Sequence, residues 1–215
     1  IRAEVLRGGK RSESVRASMT QHGRPIAEAM EGWVGDDTAG VDLDWTTMPS
    51  VPGPADLKPI EDLVDAEEEG PPFPFWDNIE CRPIEWIPRD EWDTKRPMYP
   101  AYRNWFRLRP AATFDDPVLE AARVVVFADL VGWPALVRAF TPGEIGWMAP
   151  NLDLNMTFHQ SPTAEPYLFL DGEAPLSTNG LAGGTGRVWT PDGRLVATTT
   201  QQMLFRRLPP PPPTG

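Results

Sequence analysis

Asp115-Asp116-Pro117-Val118-Leu119-Glu120-Ala121-Ala122-Arg123-Val124-Val125-Val126-Phe127-Ala128-Asp129-Leu130-Val131 reads as one helix. Asp116 can accept from the first free helical N–H groups and Pro117 suits the first helical position. The residues that follow are apolar on nearly every face, so the helix is expected to be wrapped on both sides rather than laid on a surface. Glu120 and Arg123 stand one turn apart and are expected to pair in solvent. Asp129 is then the only charge in the second half of the helix. It lies near the negative end of the helix dipole in the most apolar part of the chain. Both conditions disfavour an ionised carboxylate unless something nearby holds it.

After Gly132-Trp133-Pro134, expected to break the helix, residues Asn151 to His159 alternate Leu152, Leu154, Met156 and Phe158 with polar partners. Strict alternation is the mark of a half-buried strand. A buried helix followed by several strands implies an α+β fold in which an antiparallel sheet curls around one central helix.

Outward from this centre, strand-like pieces run from Ile1 to Leu6, Ser14 to Thr20 and Pro25 to Val34, with turns at Gly8-Gly9 and His22-Gly23 and no helix among them. Residues 35–74 change to Asp, Glu, Pro and Gly, with an acidic run at 65–69, and read as a solvated linker. Strand-like material returns over 75–92 and 104–109, and after the alternating segment over 167–171, 181–190 and 195–208. The turn Pro191-Asp192-Gly193-Arg194 is a hairpin signal. Five prolines at 209–213 mark a Pro-rich tail over 209–215. Gly23-Arg24-Pro25-Ile26-Ala27 and Gly193-Arg194-Leu195-Val196-Ala197 occupy the same place in two hairpins. The echo implies two copies of one module: a partial first copy over 1–34, truncated at its N-terminus and without its helix, and a complete second copy over 75–208.

Composition narrows the function classes. At 40% hydrophobic, the chain can bury sizeable cores. No apolar run approaches the roughly 20 residues of a membrane helix, so no membrane partner is expected. The net charge of −11 is the wrong sign for a nucleic-acid partner. Cys81 is the only cysteine, which excludes an internal disulfide and a cysteine-based zinc site and fits a cytoplasmic protein. His159 has no second histidine nearby, so a strand-end hydrogen bond is favoured over a metal site. The glycines from 180 to 186 precede a strand rather than a helix, so close backbone approach explains them better than a phosphate loop. Arg103, Arg107 and Arg109, with Trp105 and Phe106 between them, form a basic stripe read as a solvated face or a phosphate contact. No Gly-x-Ser-x-Gly elbow is present.

Gln201 joins Asp129 as a candidate. It shares a strand face with Leu195, Ala197, Thr199, Met203 and Phe205, where an amide that is buried requires a partner. A carboxylate that accepts a proton from water, beside an amide that holds the same water, fits addition of water to an activated acyl group. The resulting oxyanion requires N–H donors, such as a helix N-terminus.

Three runs carry a family resemblance: Asn151-Leu152-Asp153-Leu154 through Phe158-His159; Asp192-Gly193-Arg194-Leu195-Val196-Ala197; and Thr200-Gln201-Gln202-Met203-Leu204-Phe205-Arg206. They resemble the C-terminal half of the acyl-CoA thioesterase II family, over residues 73–208 and more loosely over 1–34. The resemblance implies a double-hotdog fold and hydrolysis of acyl-CoA thioesters to free acid and CoA, without cofactor or metal. It also implies a homo-oligomer, and a catalytic trio mapping onto Asp129, Asn151 and Gln201. Asn151 stands where the family has Thr or Ser, and Gln160-Ser161-Pro162 follows His159 where the family usually has Arg-Pro. A non-catalytic acyl-CoA-binding module is the alternative. Hydration of enoyl-CoA ranks last, because no histidine lies near Asp129 in sequence.

Overall fold

The computed structural model describes residues 1–35, 39–64, 74–141, 144–162 and 164–208. The acidic run at 65–69 and the prolines at 209–213 lie outside the described residues. The chain forms two compact units, Ile1–Trp45 and Thr46–Gly215.

The first unit is a three-stranded antiparallel sheet of β1 (Arg2–Gly8), β2 (Ser12–Gln21) and β3 (Arg24–Val34), in the order β1-β2-β3. The turn before β3 has His22 and Gly23 at φ 51° and 75°, the left-handed region where glycine is unstrained. The sequence echo therefore has a geometric counterpart at the later hairpin, where Gly193 has φ 88°.

The second unit holds β4 (Ile79–Pro83), a short helix α1 (Trp92–Lys95), β5 (Ala101–Leu108), the long helix α2 (Pro117–Asp129) and a second short helix α3 (Gly132–Leu136). These are followed by β6 (Trp147–Met148), β7 (Asn151–Phe158), β8 (Leu168–Thr178), β9 (Leu181–Trp189), β10 (Leu195–Leu204) and β11 (Arg206–Arg207). Six strands pair antiparallel in the order β4-β5-β8-β9-β10-β7, and β6 pairs with β11 apart from them.

The start of α2 follows the sequence reading. Asp116 caps it, accepting from the N–H groups of Val118 at 2.8 Å and Leu119 at 3.3 Å, with Pro117 in the first turn. Its inner face, Val124, Phe127 and Ala128, meets Phe106, Leu168, Leu170, Val188 and Val196 of the sheet. Phe127 stacks on Phe106 with ring centroids 5.6 Å apart. Burying each such side chain contributes about 1.5–3 kcal/mol.

The outer face differs from expectation. Val118, Leu119 and Val125 are exposed, so α2 lies on the sheet with one apolar stripe open rather than wrapped all round. The reason is that the sheet supplies cover from one side only. The chain also does not leave helical geometry at Gly132. It redirects into α3, whose first turn accommodates Pro134 because the N–H lost there has no intrahelical acceptor.

Glycines under this redirection set its depth. Gly172 and Gly186 are cross-strand partners on β8 and β9. A methyl group on Gly172 would stand 2.5 Å from Val131 Cγ2, and one on Gly186 3.0 Å from it. In the run near 180–186, Gly184 and Gly186 lie under the helix end, while Gly180 has φ 79° in the turn before β9.

Part of the stretch read as linker is packed into the second unit itself. Trp105 Nε1 donates to the Pro52 carbonyl at 2.9 Å, and Arg82 Nη1 donates to those of Pro54 and Leu57 at 2.7 Å each. Met48, Val51 and Leu57 cover the cluster of Trp105, Phe169 and Trp189. Prolines and backbone carbonyls supplied this docking, which composition alone does not reveal.

Candidate active site

The three residues singled out from sequence meet at the C-terminal end of α2. Asn151 Nδ2 donates to Asp129 Oδ1 at 2.6 Å. Gln201 Nε2 donates to the carbonyl of Ala128, the residue before Asp129, at 3.3 Å. With Nε2 committed to a carbonyl, Gln201 Oε1 is the end that points elsewhere, and it is buried without a partner among the described residues. An acceptor in that state costs about 1–3 kcal/mol unless something donates to it.

Two expectations about these residues are corrected. Asp129 is exposed rather than buried, and its measured partner is Asn151 rather than Gln201. Asp129 is the last residue of the helix, where exposure begins after the buried Phe127 and Ala128. Gln201 is the buried member, 4% exposed, on the inward face of β10 with Ala197, Thr199 and Met203, as the alternation implies. It sits against the start of α3: a methyl group on Gly132 would meet Gln201 Oε1 and Met203 Sδ at 2.5 Å each.

Asn151 reaches this face through a β-bulge. Alternation alone puts it with the polar residues of its strand, away from Leu154. Along β7 and β10, Leu154 pairs with Gln201 and Asp153 with Gln202, but Asn151, not Leu152, pairs with Met203. Leu152 is therefore the extra residue. The bulge flips the parity of the strand start and turns Asn151 to the side of Gln201 and Met203.

The far end of α2 offers no oxyanion site. Its first N–H groups are taken by Asp116, and it lies about 18 Å from Asp129 at about 1.5 Å per helical residue. Glu120 and Arg123, expected in solvent, are buried. Arg123 donates to both oxygens of Glu120 and to the Pro166 carbonyl, while Glu120 also accepts from Phe114 N at 3.1 Å. The basic stripe is neutralised pair by pair. Arg103 holds Asp171 at 2.7 Å, Arg107 holds Glu80 at 2.7 Å, and Arg109 holds Glu61. Burial pushes the Glu80 carboxyl up, but Tyr167, Arg82 and Arg107 outweigh it and hold the group below the usual carboxylate range. Cys81 is no nucleophile, because burial pushes its thiol up to about 12. His159 makes the expected strand-end bond, 3.0 Å to Thr198 Oγ1.

Sequence reasoning did not find a cavity in the second unit whose lining includes none of Asp129, Asn151 and Gln201. It measures about 510 Å³ and is lined by Trp133, Phe140, Trp147 and Phe205 among others. Its walls come from α3, β6 and the chain after β10, elements whose meeting is set by the fold. Aromatic spacing in the sequence carried no signal for it.

An antiparallel sheet packed against one long helix is the arrangement of the hotdog folds. The sequence profile of the acyl-CoA thioesterase C-terminal domain matches residues 54–205. The chain belongs to the acyl-CoA thioesterase family, and as such is a thioester hydrolase. Among solved structures, its fold is similar to acyl-CoA thioesterase II TesB2 from Mycobacterium marinum, with a TM-score of 0.73 and 23% identity over 96% of this chain and 73% of that one. A tesB protein of Mycobacterium avium subs. paratuberculosis gives 0.70 and 23%, over 95% and 70%. A hot dog fold protein of unknown function from Alicyclobacillus acidocaldarius gives 0.67 and 19%, over 96% and 73%. A search of curated proteins gives no significant sequence match. No described helix is long and apolar enough to cross a membrane.

Proposed function

We propose that the chain hydrolyses acyl-CoA thioesters to free acid and CoA with a water held among Asp129, Gln201 and Asn151. The observation that carries this reading is one cluster: Asp129 Oδ1 fixed by Asn151 at 2.6 Å, beside a Gln201 whose Oε1 is buried and lacks a donor. A water donating one hydrogen to Gln201 Oε1 and the other to Asp129 keeps a lone pair free for the thioester carbonyl carbon. Attack forms the C–O bond as the proton passes to the carboxylate, and positioned proton transfer of this kind contributes about 10²–10⁴-fold. The second N–H of Asn151 stabilises the oxyanion. Collapse breaks the C–S bond, and Asp129 returns the proton to the departing thiolate.

The acyl chain occupies the aromatic cavity, whose volume of about 510 Å³ falls in the roughly 300–1,000 Å³ range of ligand sites. Trp133, one of its walls, follows Gly132, which packs against Gln201, and this is what links the cavity to the cluster. The same reading keeps residues 1–34 and 75–208 as two hotdog modules, places the protein in the cytoplasm and has it assemble as a homo-oligomer.

Thiol release from acyl-CoAs of graded length tests the proposal. Turnover by the wild type, reduced about 10²-fold or more in Gln201→Met, is the expected result. Saturable binding of acyl-CoA with no thiol released would establish the non-catalytic binding module instead.

A further inference from the structure

A second cleft, of about 190 Å³, lies in the same unit. Pro134, Val137 and Arg138 line it, whereas their neighbours Trp133 and Phe140 line the aromatic cavity. The thioesterase reading gives this cleft no role.

Its charge is unlike that of the molecule. The chain has 31 acids against 20 basic residues, yet the charged groups lining this cleft are Arg96, Arg103, Arg138 and one carboxylate, Glu85. Arg103 is committed to Asp171 at 2.7 Å. Arg138 is 9% exposed, and its only acidic partner among the described residues is Glu85, which is largely in solvent. Arg96 lies over Trp92 at 4.1 Å and donates to the Val137 carbonyl, with no carboxylate in reach among the described residues. Burial and mutual repulsion push the Arg96 guanidinium below its ordinary value, and burial pushes Arg138 the same way.

The hydrogen-bond accounting is equally one-sided. Five buried side-chain atoms among the described residues lack a partner, and three of them belong to residues lining this cleft: Arg96 Nε, Arg138 Nε and Asn104 Nδ2. All three are donors. A buried donor without an acceptor is costly, and more so on a cation, and all three belong to residues that line this one cleft.

We propose that this cleft binds a small oxyanion, a carboxylate or phosphoryl group, held by Arg138 and Arg96 with the Asn104 amide behind them. The guanidinium fork matches such groups in two-point contact, and Arg138 already holds one carboxylate oxygen, Glu85 Oε2 at 2.6 Å, from within the chain. The small volume admits one such group, free or as the end of a longer molecule.

Isothermal titration of the full chain with inorganic phosphate, acetate, CoA and 3′-dephospho-CoA tests the assignment. Binding weakened roughly 10- to 100-fold in Arg138→Gln and in Arg96→Gln, partly restored in Arg96→Lys and unchanged in Asp129→Asn, is the expected result. Competition between phosphate and CoA identifies the CoA phosphates as the natural source; phosphate or acetate binding without competition identifies a free ion. Arg96 is only half-buried, so its variants report even where Arg138→Gln fails to fold. Absence of binding by all four probes, or binding indifferent to both arginines, overturns the proposal. The Asp129→Asn arm separates this from failure of the hydrolytic reading, which affects turnover and not this cleft.

Discussion

Two carboxylates at opposite ends of α2 meet opposite fates. Glu120 is buried with both oxygens engaged, by Arg123 and by the Phe114 N–H. Asp129 is exposed and has one hydrogen-bond partner among the described residues, an uncharged amide. A buried carboxylate whose two oxygens take three hydrogen bonds from a cation and a backbone donor is a structural clamp. One held on a single side by a neutral amide keeps an oxygen for a proton. The sequence invites the reverse assignment, because Glu120 has a cation one turn away and Asp129 has only apolar neighbours along its helix.

The sharpest way to break the contrast is Arg123→Met, which leaves Glu120 buried without its cation. It should lower unfolding free energy by about 3–5 kcal/mol in urea titration, and a loss under 1 kcal/mol would show that Glu120 is not clamped. Gly172→Ala comes next. Its methyl group must displace Val131 and the turn leading to Gly132 and Gln201, costing about 1–3 kcal/mol. Turnover should fall with stability there, while a variant as stable as wild type would refute the tight seating of the helix end. Asp116→Ala, which removes the cap, should cost about 1 kcal/mol in the same measurement and leave turnover per folded molecule unchanged.

Acid titration sharpens the comparison from the sheet side. Glu80 has its folded-state carboxyl held low, so its stabilising contribution is present above the ordinary carboxylate range and is lost as pH falls through the lowered folded value. Glu80→Gln should therefore flatten the acid limb of the stability profile. An unchanged acid limb would remove Glu80 from it.

What could be read in advance was local. The Asp116-Pro117 start, the inward alternation of β10 around Gln201 and the turn at Gly193 each depend on a few neighbouring residues, and each is present. What could not be read depends on partners far along the chain. The bulge opposite Met203 is a matter of register between β7 and β10, and it alone brings Asn151 to Asp129. The burial of Glu120 and Arg123 depends on Phe114 and Pro166 closing over them, and the arginine stripe is silenced by Glu61, Glu80 and Asp171. The helix redirection at Gly132 is hidden by a Gly-Trp-Pro sequence that locally resembles a stop.

The account stands or falls on the free oxygen of Asp129. Asp129→Asn keeps the shape of the side chain and its place beside Asn151 while removing the proton acceptor. Steady-state CoA release by this variant, measured against wild type with unfolding followed in parallel, should fall about 10²–10⁴-fold with stability unchanged. Wild-type turnover in a folded Asp129→Asn protein would contradict it.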